Sequence, residues 1–379
     1  MFGVISKMKK INLFEPNLDH REEGAVLEVL RSGWITQGSK VEELEEMFSV
    51  RFRLDSVAVN SCSAALHLAH AICGAGPGKE VIVPSMTFVA TPNSVSYTGA
   101  DVVFADIKSV DDWTLDPADV ELKTTEKTCG VSPMHFAGFP ADMKDLVEIC
   151  NRYSLYLVED ACHGLGSSID GKQLGTFGDV GCFSFYGNKI MTTGEGGMMV
   201  LKNPDHARRA KSLRSHGMSN VAWDRFKGAM SYDITGVGYN YRMDDIRAAI
   251  GIVQLNKLDG FIQSRNNIVA QYRQQLSSID NIIVPNFSGK VNQANYIFPI
   301  LLKSGSRDKF RADLYERGIQ TSVHYAPSHM FSLYKSDVDK LPVTEYVAEK
   351  CLSLPLYPSM TSEDVNFVCE RVSGCANKV

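Results

Sequence analysis

Lys189 is the residue of this chain whose setting most clearly indicates chemistry. It ends the run SFYGNK at residues 184–189, and a glycine-rich stretch follows at residues 192–197. The β-prone residues 180–186 would carry this lysine into the protein interior, where an amine can form a Schiff base instead of remaining a solvated cation. The glycines that follow would let the backbone turn tightly against a flat ligand.

An acidic pair, Glu159-Asp160, closes the apolar run at residues 155–158. Asp160 would therefore lie at the carboxyl edge of a parallel sheet, where the cofactors of open α/β folds bind, and could keep a pyridine nitrogen protonated. A lysine after a strand usually ends in solvent and an aspartate there is usually a cap, so neither residue alone indicates a cofactor. Together, Lys189 and Asp160 predict pyridoxal phosphate chemistry, and both are candidate catalytic residues.

A phosphate site is predicted at residues 60–65, NSCSAA, which follow a predicted strand and open a predicted helix. The backbone N–H groups of Cys62, Ser63 and Ala64 and the positive end of the helix dipole would point at one spot. The alternative is that Ser61 or Ser63 only caps the helix, which is the commoner use of serine at this place.

Three further side chains are candidate cofactor contacts. Phe88 follows the predicted strand at residues 80–84, where an aromatic ring can stack on a flat heterocycle. His163 could donate a hydrogen bond to a ring oxygen, and Ser184 could bond a phosphate oxygen. The structural alternatives are a core phenylalanine, a hydrogen-bonded structural histidine and a small residue packed in the sheet.

Composition limits the classes of partner. The chain has 379 residues, 44% hydrophobic content and a net charge of -5, so it can form a large core but carries no basic field for nucleic acid. No apolar stretch approaches the ~20 residues of a membrane span, so we expect no membrane association. Nine cysteines without a C-x-x-C pair are typical of reduced thiols in a cytoplasmic protein, and we expect no metal site.

The order of predicted elements indicates an α/β protein. Short β-branched or aromatic runs alternate with helical patterns, which predicts a mostly parallel, seven-stranded sheet covered by helices on both faces. The predicted strands are residues 57–60, 80–84, 101–107, 130–135, 155–159, 181–186 and 197–201. The predicted helices are residues 18–31, 41–52, 63–73, 92–97 and 143–153.

A smaller α+β unit is predicted after a long helix at residues 244–276. Its predicted strands are residues 296–302 and 320–325, and its predicted helices are residues 307–317 and 362–372. We therefore predict a large domain at residues 1–255 and a small C-terminal domain at residues 256–379.

Several of these motifs, in this order, resemble the DegT/DnrJ/EryC1/StrS family of sugar aminotransferases, which are fold-type I pyridoxal phosphate enzymes. The resemblance covers nearly the whole chain, and the set of motifs is far more specific than any one of them. It rests on residues 32–38 (SGWITQG), 62–68 (CSAALHL), 159–164 (EDACHG), the lysine loop, 238–243 (GYNYRM) and 354–358 (LPLYP).

The resemblance implies roles for the cofactor residues. Lys189 matches the Schiff-base lysine of the family, Asp160 matches the partner of the pyridine nitrogen, and Phe88 matches the stacking aromatic. Ser63, Ser184 and the backbone near Cys62 match the groups that cradle the phosphate.

The resemblance also implies a homodimer with shared active sites. In the family, an asparagine that matches Asn240 reaches the phosphate from the other subunit. This chain departs from the family in having His163 where glutamine is common and Cys62-Ser63 where Gly-Thr is common. Each departure keeps a hydrogen-bond donor in place.

Two further segments resemble stretches that line the nucleotide-sugar pocket of the family. The first contains Thr36, and the second contains His324, Tyr325 and His329. Aromatic and histidine side chains suit a sugar that carries a diphosphate. The alternative is a turn and a strand-to-loop junction that contact no ligand.

The reaction implied by the resemblance is a transamination in two halves. Glutamate would convert pyridoxal 5′-phosphate to pyridoxamine 5′-phosphate, which would then aminate a nucleotide-linked keto-6-deoxy sugar for polysaccharide or glycoside biosynthesis. We expect a 4-keto sugar, with a 3-keto sugar as the alternative. One alternative hypothesis is a dehydratase of the same fold, in which histidine replaces the lysine, and the presence of Lys189 argues against it. Another is a non-catalytic binding or regulatory protein. Lys189, Asp160 and the phosphate loop argue against this second alternative.

Overall fold

The computed structural model describes residues 9–220, 222–228, 230–285, 291–335 and 340–376. The helices of this described chain are α1 (His20–Ser32), α2 (Ser39–Phe52), α3 (Cys62–Cys73), α4 (Ala90–Ser96), α5 (Pro117–Lys123), α6 (Met143–Tyr153), α7 (Pro204–Leu213), α8 (Ala222–Phe226), α9 (Asp245–Leu276), α10 (Arg307–Glu316), α11 (Pro342–Lys350) and α12 (Ser362–Ala376). Its strands are β1 (Asp55–Val59), β2 (Glu80–Pro84), β3 (Asp101–Ala105), β4 (Thr128–Val131), β5 (Tyr156–Asp160), β6 (Ser168–Ile169), β7 (Lys172–Gln173), β8 (Val180–Ser184), β9 (Gly197–Leu201), β10 (Ile282–Ile283), β11 (Val291–Asn292), β12 (Phe298–Leu302) and β13 (Cys351–Leu354).

Seven strands of the described chain form the central sheet, in the order β1-β9-β8-β5-β4-β2-β3. The pairs from β8 to β3 are all parallel, whereas β9 is antiparallel to both β1 and β8. The predicted mostly parallel, seven-stranded sheet is therefore confirmed. Because parallel strands share one carboxyl edge, the ends of β2, β5 and β8 bring Pro84, Asp160 and Ser184 to the same side of the sheet.

Close backbone packing places the start of α3 beside this edge. Gly197 begins β9, and a Cβ atom on it would lie 2.6 Å from the carbonyl carbon of Ser61 and 2.7 Å from the backbone nitrogen of Cys62. Only glycine therefore lets β9 run this near to the first turn of the helix. The apolar side of α3 is buried with Leu66 and Leu68 against the sheet, which fixes the helix axis.

A second sheet lies in the C-terminal part of the chain, with three described strands in the order β10-β12-β13. Its core also includes residues of α9, α10 and α12, such as Tyr272, Phe310 and Val368. This agrees with the predicted α+β pattern. Helix α9 crosses residue 255 without a break, and the division into domains at residues 1–255 and 256–379 stays a prediction.

Some predicted elements were wrong. Residues 320–325 do not form a strand, because the one bridge there is the isolated pair of Ser322 with Ser353. The chain instead leaves the sheet and turns toward the carboxyl edge of the large sheet. Strand β4 ends at Val131, short of the predicted residue 135, and α5, α7 and β13 were not predicted.

Within the described residues, no helix combines the length and the apolar character that crossing a membrane would require.

Candidate active site

A cavity of about 590 Å³ lies at the carboxyl edge of the large sheet. Its wall brings together predicted residues from five separate segments of the chain. They are Cys62, Ser63, Phe88, Asp160, Ser184, Lys189, His324 and Tyr325. The volume falls in the ~300–1,000 Å³ range of ligand pockets.

Lys189 reaches the cavity from the loop after β8. Its backbone N–H donates to the Tyr186 carbonyl at 2.9 Å, which closes a turn and aims the side chain inward. The Nζ atom lies 4.3 Å from the centroid of the Tyr296 ring. Burial acts to lower the pKa of this amine, but neighbouring groups that become anions at high pH, Cys162 and Tyr296 foremost, outweigh burial and hold the pKa above its usual value.

Asp160 ends β5 and is almost fully buried. Its Oδ2 atom accepts a hydrogen bond from the Thr91 hydroxyl at 2.6 Å, and its Oδ1 atom accepts from the Cys162 backbone N–H at 3.1 Å. Each oxygen of a carboxylate has two lone pairs, so one remains on each oxygen for a ligand. The carboxylate is thus held in one orientation and can still bind a protonated ring nitrogen.

The neighbouring Glu159 explains why the end of β5 is rigid. Its carboxylate accepts backbone N–H groups of residues 175, 177 and 178 and a hydrogen bond from His135 Nε2 at 3.0 Å. Burial acts to raise the pKa of Glu159, but these donors outweigh burial and hold it below the usual value. Glu159 is therefore an internal anchor, while Asp160 faces the cavity.

The first turn of α3 forms the predicted anion site. Ser61 caps the helix, because its hydroxyl accepts the Ala64 N–H at 3.2 Å. The capping alternative is thus correct for Ser61. Because the Ala64 N–H is used in this cap, it is not available to bind a phosphate. The N–H groups of Cys62 and Ser63 have no partner within the helix and lie at the cavity wall, which suits an anion.

These groups together fit pyridoxal phosphate. The Phe88 side chain is 56% exposed at the cavity wall, which leaves a ring face for a flat heterocycle. The α3 amides, Ser63 and Ser184 would hold the phosphate, Asp160 the ring nitrogen and Lys189 the aldehyde carbon. Burial raises the pKa of Cys62 and Cys162 well above the usual range, so both cysteines at this wall are neutral thiols near pH 7 and do not compete as anions.

His163 is buried behind the cavity wall. Its Nδ1 atom accepts the Ala137 backbone N–H at 3.2 Å, so in the neutral ring the proton is on Nε2, which lies 2.9 Å from the Tyr325 hydroxyl. Burial lowers the pKa of His163 well below its usual value, which keeps the ring neutral. His163 therefore donates to Tyr325, and the Tyr325 O–H is the group left to donate into the cavity; a cofactor contact of His163 itself stays a prediction.

Two other predicted site residues, Thr36 and Asn240, lie away from the cavity wall of their own chain. Thr36 is exposed, and its carbonyl accepts the Asp245 N–H at 3.1 Å. Asn240 is also exposed, and its carbonyl accepts from Asn60 Nδ2 at 3.3 Å.

His329 is buried outside the cavity wall, and a sugar contact of His329 stays a prediction. Its Nδ1 atom lies 2.6 Å from the Ser85 hydroxyl, and its Nε2 atom lies 3.4 Å from Glu345 Oε1. Both ring nitrogens are thereby engaged with protein groups. His324, by contrast, lines the cavity, and burial lowers its pKa to about 4, so it is neutral near pH 7.

Sequence reasoning missed several residues of the site. Thr91 orients Asp160, and its own hydroxyl lies 2.9 Å from that of Thr87. Asn188 and Tyr296 line the cavity, and Asn188 has a buried Oδ1 atom without a protein partner among the described residues. Asn188 could have been predicted because it directly precedes Lys189. Thr91 could have been predicted because it follows the end of β2, three residues after Phe88. Tyr296 follows no such motif.

Comparisons with known proteins show the family of this chain. A sequence model described as the DegT/DnrJ/EryC1/StrS aminotransferase family matches residues 16–373. The GDP-perosamine synthase of Escherichia coli O157:H7 is 33% identical over 371 residues, which cover 97% of this chain and 98% of that protein.

Solved structures of two other proteins superpose on nearly the whole of this chain. The aminotransferase TlmJ from Streptoalloteichus hindustanus superposes with a TM-score of 0.92 at 33% identity, covering 97% of this chain and 99% of that one. The PLP form of Spr1654 from Streptococcus pneumoniae superposes with a TM-score of 0.91 at 29% identity, again covering 97% and 99%. The likeness therefore extends over the large sheet, the cavity and the C-terminal part together.

Proposed function

Because this chain belongs to the DegT/DnrJ/EryC1/StrS family and is an aminotransferase that uses pyridoxal 5′-phosphate, we propose that it transfers an amino group from glutamate to a nucleotide-linked keto-6-deoxy sugar. The 4-keto sugar is the proposed substrate. The product would be an amino sugar bound to a nucleotide, for use in polysaccharide or glycoside biosynthesis. The name of one relative, GDP-perosamine synthase, supports a nucleotide-linked product.

The observation that carries this proposal is the meeting of Lys189, Asp160 and the open first turn of α3 at one cavity. An amine, a carboxylate and an anion site are the groups that hold the aldehyde, the ring nitrogen and the phosphate of the cofactor. The cofactor, when bound, supplies an electron-withdrawing ring that stabilises negative charge at the substrate carbon. A dehydratase of the same fold would carry histidine in place of Lys189.

The residues of the chain have distinct tasks in this scheme. Lys189, when it is not joined to the cofactor, would carry a proton to and from the substrate carbon. Asp160, fixed by Thr91 and Cys162, keeps the ring nitrogen protonated. The hydroxyl of Tyr325, whose oxygen is already bound by His163, donates toward an oxygen of the sugar.

We expect glutamate and a nucleotide-linked 4-keto-6-deoxyhexose to give 2-oxoglutarate and a 4-amino sugar in equal amounts, measured by mass spectrometry and NMR. The same keto sugar without its nucleotide should react poorly, because binding energy from the remote nucleotide positions the carbonyl. Turnover of a nucleotide-linked 3-keto sugar in preference to the 4-keto sugar would overturn the choice of the 4-keto sugar. If a panel of nucleotide keto sugars gives no amino sugar while 2-oxoglutarate still forms from glutamate, the sugar substrate is wrong.

We also propose that Asn240 completes the phosphate site of a second copy in a homodimer. Its exposed side chain is outside its own cavity wall, while its backbone is fixed near the start of α3 through Asn60. Ile234 and Val237, on the approach to Asn240, are 51% and 91% exposed. Exposed apolar side chains beside a fixed polar one suit a surface that another copy covers.

A mixture of Lys189→Ala and Asn240→Ala proteins should regain activity after subunit exchange. One site of each mixed dimer would then contain both intact residues, so an equal mixture should recover up to about a quarter of wild-type turnover. The matched control is a mixture of Lys189→Ala and Asp160→Asn, in which both changes affect the site of the same chain and no activity should return. Equal outcomes in the two mixtures would count against a shared site.

The compartment we propose is the cytoplasm. No disulfide joins Cys62, Cys73, Cys129, Cys150, Cys162, Cys182, Cys351 or Cys369, which suits a reducing environment.

A further inference from the structure

Tyr296 lies beside the Lys189 amine, although none of the sequence motifs that predicted the site includes this tyrosine. It sits just before β12, in the C-terminal part of the chain, and its side chain is 3% exposed. Its ring forms part of the cavity wall, and the centroid of that ring is 4.3 Å from Lys189 Nζ. This distance is well inside the ~6 Å within which an ammonium is attracted to the face of an aromatic ring.

The position of the Tyr296 ring is fixed from several sides. Its backbone N–H donates to the Ala137 carbonyl at 3.1 Å, and its carbonyl accepts from Arg265 Nη1 at 3.0 Å. The same nitrogen of Arg265 donates to the Leu356 carbonyl at 3.0 Å. The Tyr296 ring also packs on the ring of His163, with centroids 4.1 Å apart. The ring therefore cannot easily move away from Lys189.

We infer that Tyr296 is a positioning residue that receives the Lys189 amine whenever it is not joined to the cofactor, and that its ring face stabilises the charged form of this amine. The inference rests on the proposed role of Lys189 and is independent of the sugar. Lys189 would have to leave the cofactor carbon in the glutamate half-reaction and would rejoin it only at the end of the sugar half-reaction, and a buried ammonium needs in the meantime a partner that replaces water. The ring face of Tyr296, 4.3 Å from Lys189 Nζ, offers such a partner.

Other titratable groups around Lys189 also affect the pKa of its amine. Burial alone would lower the pKa of the amine, and the acidic groups at the site together raise it. Lys189 in turn lowers the pKa of the two histidines that face it. The titratable groups that face Lys189 are Cys162, Tyr296, Cys62, Asp160, His163 and His324.

The test uses the full-length protein freed of cofactor and measures how fast Lys189 captures pyridoxal 5′-phosphate near pH 8. In this step the lone pair of the neutral amine forms a carbon–nitrogen double bond with the aldehyde carbon, and the aldehyde oxygen leaves as water with the two amine protons. Only the neutral amine reacts, so below the pKa the rate follows the neutral fraction. The visible absorption band reports the rate.

Tyr296→Leu should capture the cofactor faster than wild type, by roughly 3- to 30-fold, because loss of the ring face lowers the pKa of Lys189. Tyr296→Met, which fills the space with a flexible chain, should do the same and serves if the leucine variant folds poorly. Tyr296→Phe keeps the ring face and should stay within about twofold of wild type. Damage to the site would slow capture, so acceleration separates this role from a structural one.

Two outcomes would overturn the inference. Leucine and methionine variants with an unchanged or lower capture rate would show that the ring face does not stabilise the ammonium. A phenylalanine variant as fast as the leucine variant would assign the effect to the hydroxyl instead. If wild-type protein fails to capture the cofactor on Lys189 at all, the proposed function fails with it, and this result is distinct from both.

Discussion

Lys189→Ala should lose at least roughly 1,000-fold in turnover, because positioned proton transfer alone contributes about 10²–10⁴-fold and the variant also loses the covalent link to the cofactor. Lys189→Arg should be equally inactive, since a guanidinium keeps the positive charge but cannot form that link. The loss would therefore belong to the amine and not to the charge.

Borohydride reduction of the loaded wild-type protein provides the direct measurement. The mass of the cofactor should appear on the peptide that contains Lys189. Lys172→Ala is a suitable control, because Lys172 is an exposed cation on β7 that packs over Phe177 outside the cavity. Cofactor mass on another lysine, or near-normal turnover of Lys189→Ala, would contradict the assignment.

Asp160→Asn should retain some cofactor but lose most turnover, by about 100-fold or more, because a neutral amide no longer keeps the ring nitrogen protonated. The fold should tolerate this change. The amide oxygen can still accept the Cys162 N–H, and the Thr91 hydroxyl, which now donates to Oδ2, can rotate to accept from the amide nitrogen. The loss would thus come from charge and not from a disordered strand end.

Asp179→Asn is the matched control for this prediction. Asp179 accepts the Leu157 N–H at 2.8 Å, near the opposite end of the strand that Asp160 ends. We expect Asp179→Asn to lower thermal stability slightly and to leave turnover per folded molecule unchanged. Steady-state kinetics with cofactor content measured on the same samples distinguish the two variants. Asp160→Asn with near-normal turnover would remove Asp160 from the mechanism.

The parts of the site that sequence reasoning found are those encoded locally. Asp160 and Lys189 each follow a recognisable strand, and the carboxyl ends of parallel strands share one edge, so their meeting could be predicted. The first turn of α3 was found in the same way, because a strand followed by a serine and a helix leaves backbone donors at the junction.

The parts that were missed depend on contacts between distant segments. Tyr296 is brought to Lys189 by Arg265 and Ala137, which no local pattern connects to it. His329 has the residue type of a sugar contact, but its partner Ser85 lies in a different part of the sequence. Residues 320–325 have an alternating pattern typical of a strand, yet the neighbouring β13 pairs with β12 and leaves them only one bridge.

Hydrogen bonds of Ser328 and His329 join two walls of the cavity to each other. Ser328 donates through its N–H to the Ser85 carbonyl at 3.0 Å and through its hydroxyl to the Thr87 carbonyl at 3.2 Å, and His329 adds its own bonds to Ser85. The turn that carries Phe88 is thereby fastened to the segment that carries Tyr325. We expect these hydrogen bonds to resist any spreading of the two walls, so selection for a sugar of a different size would act on the lysine loop.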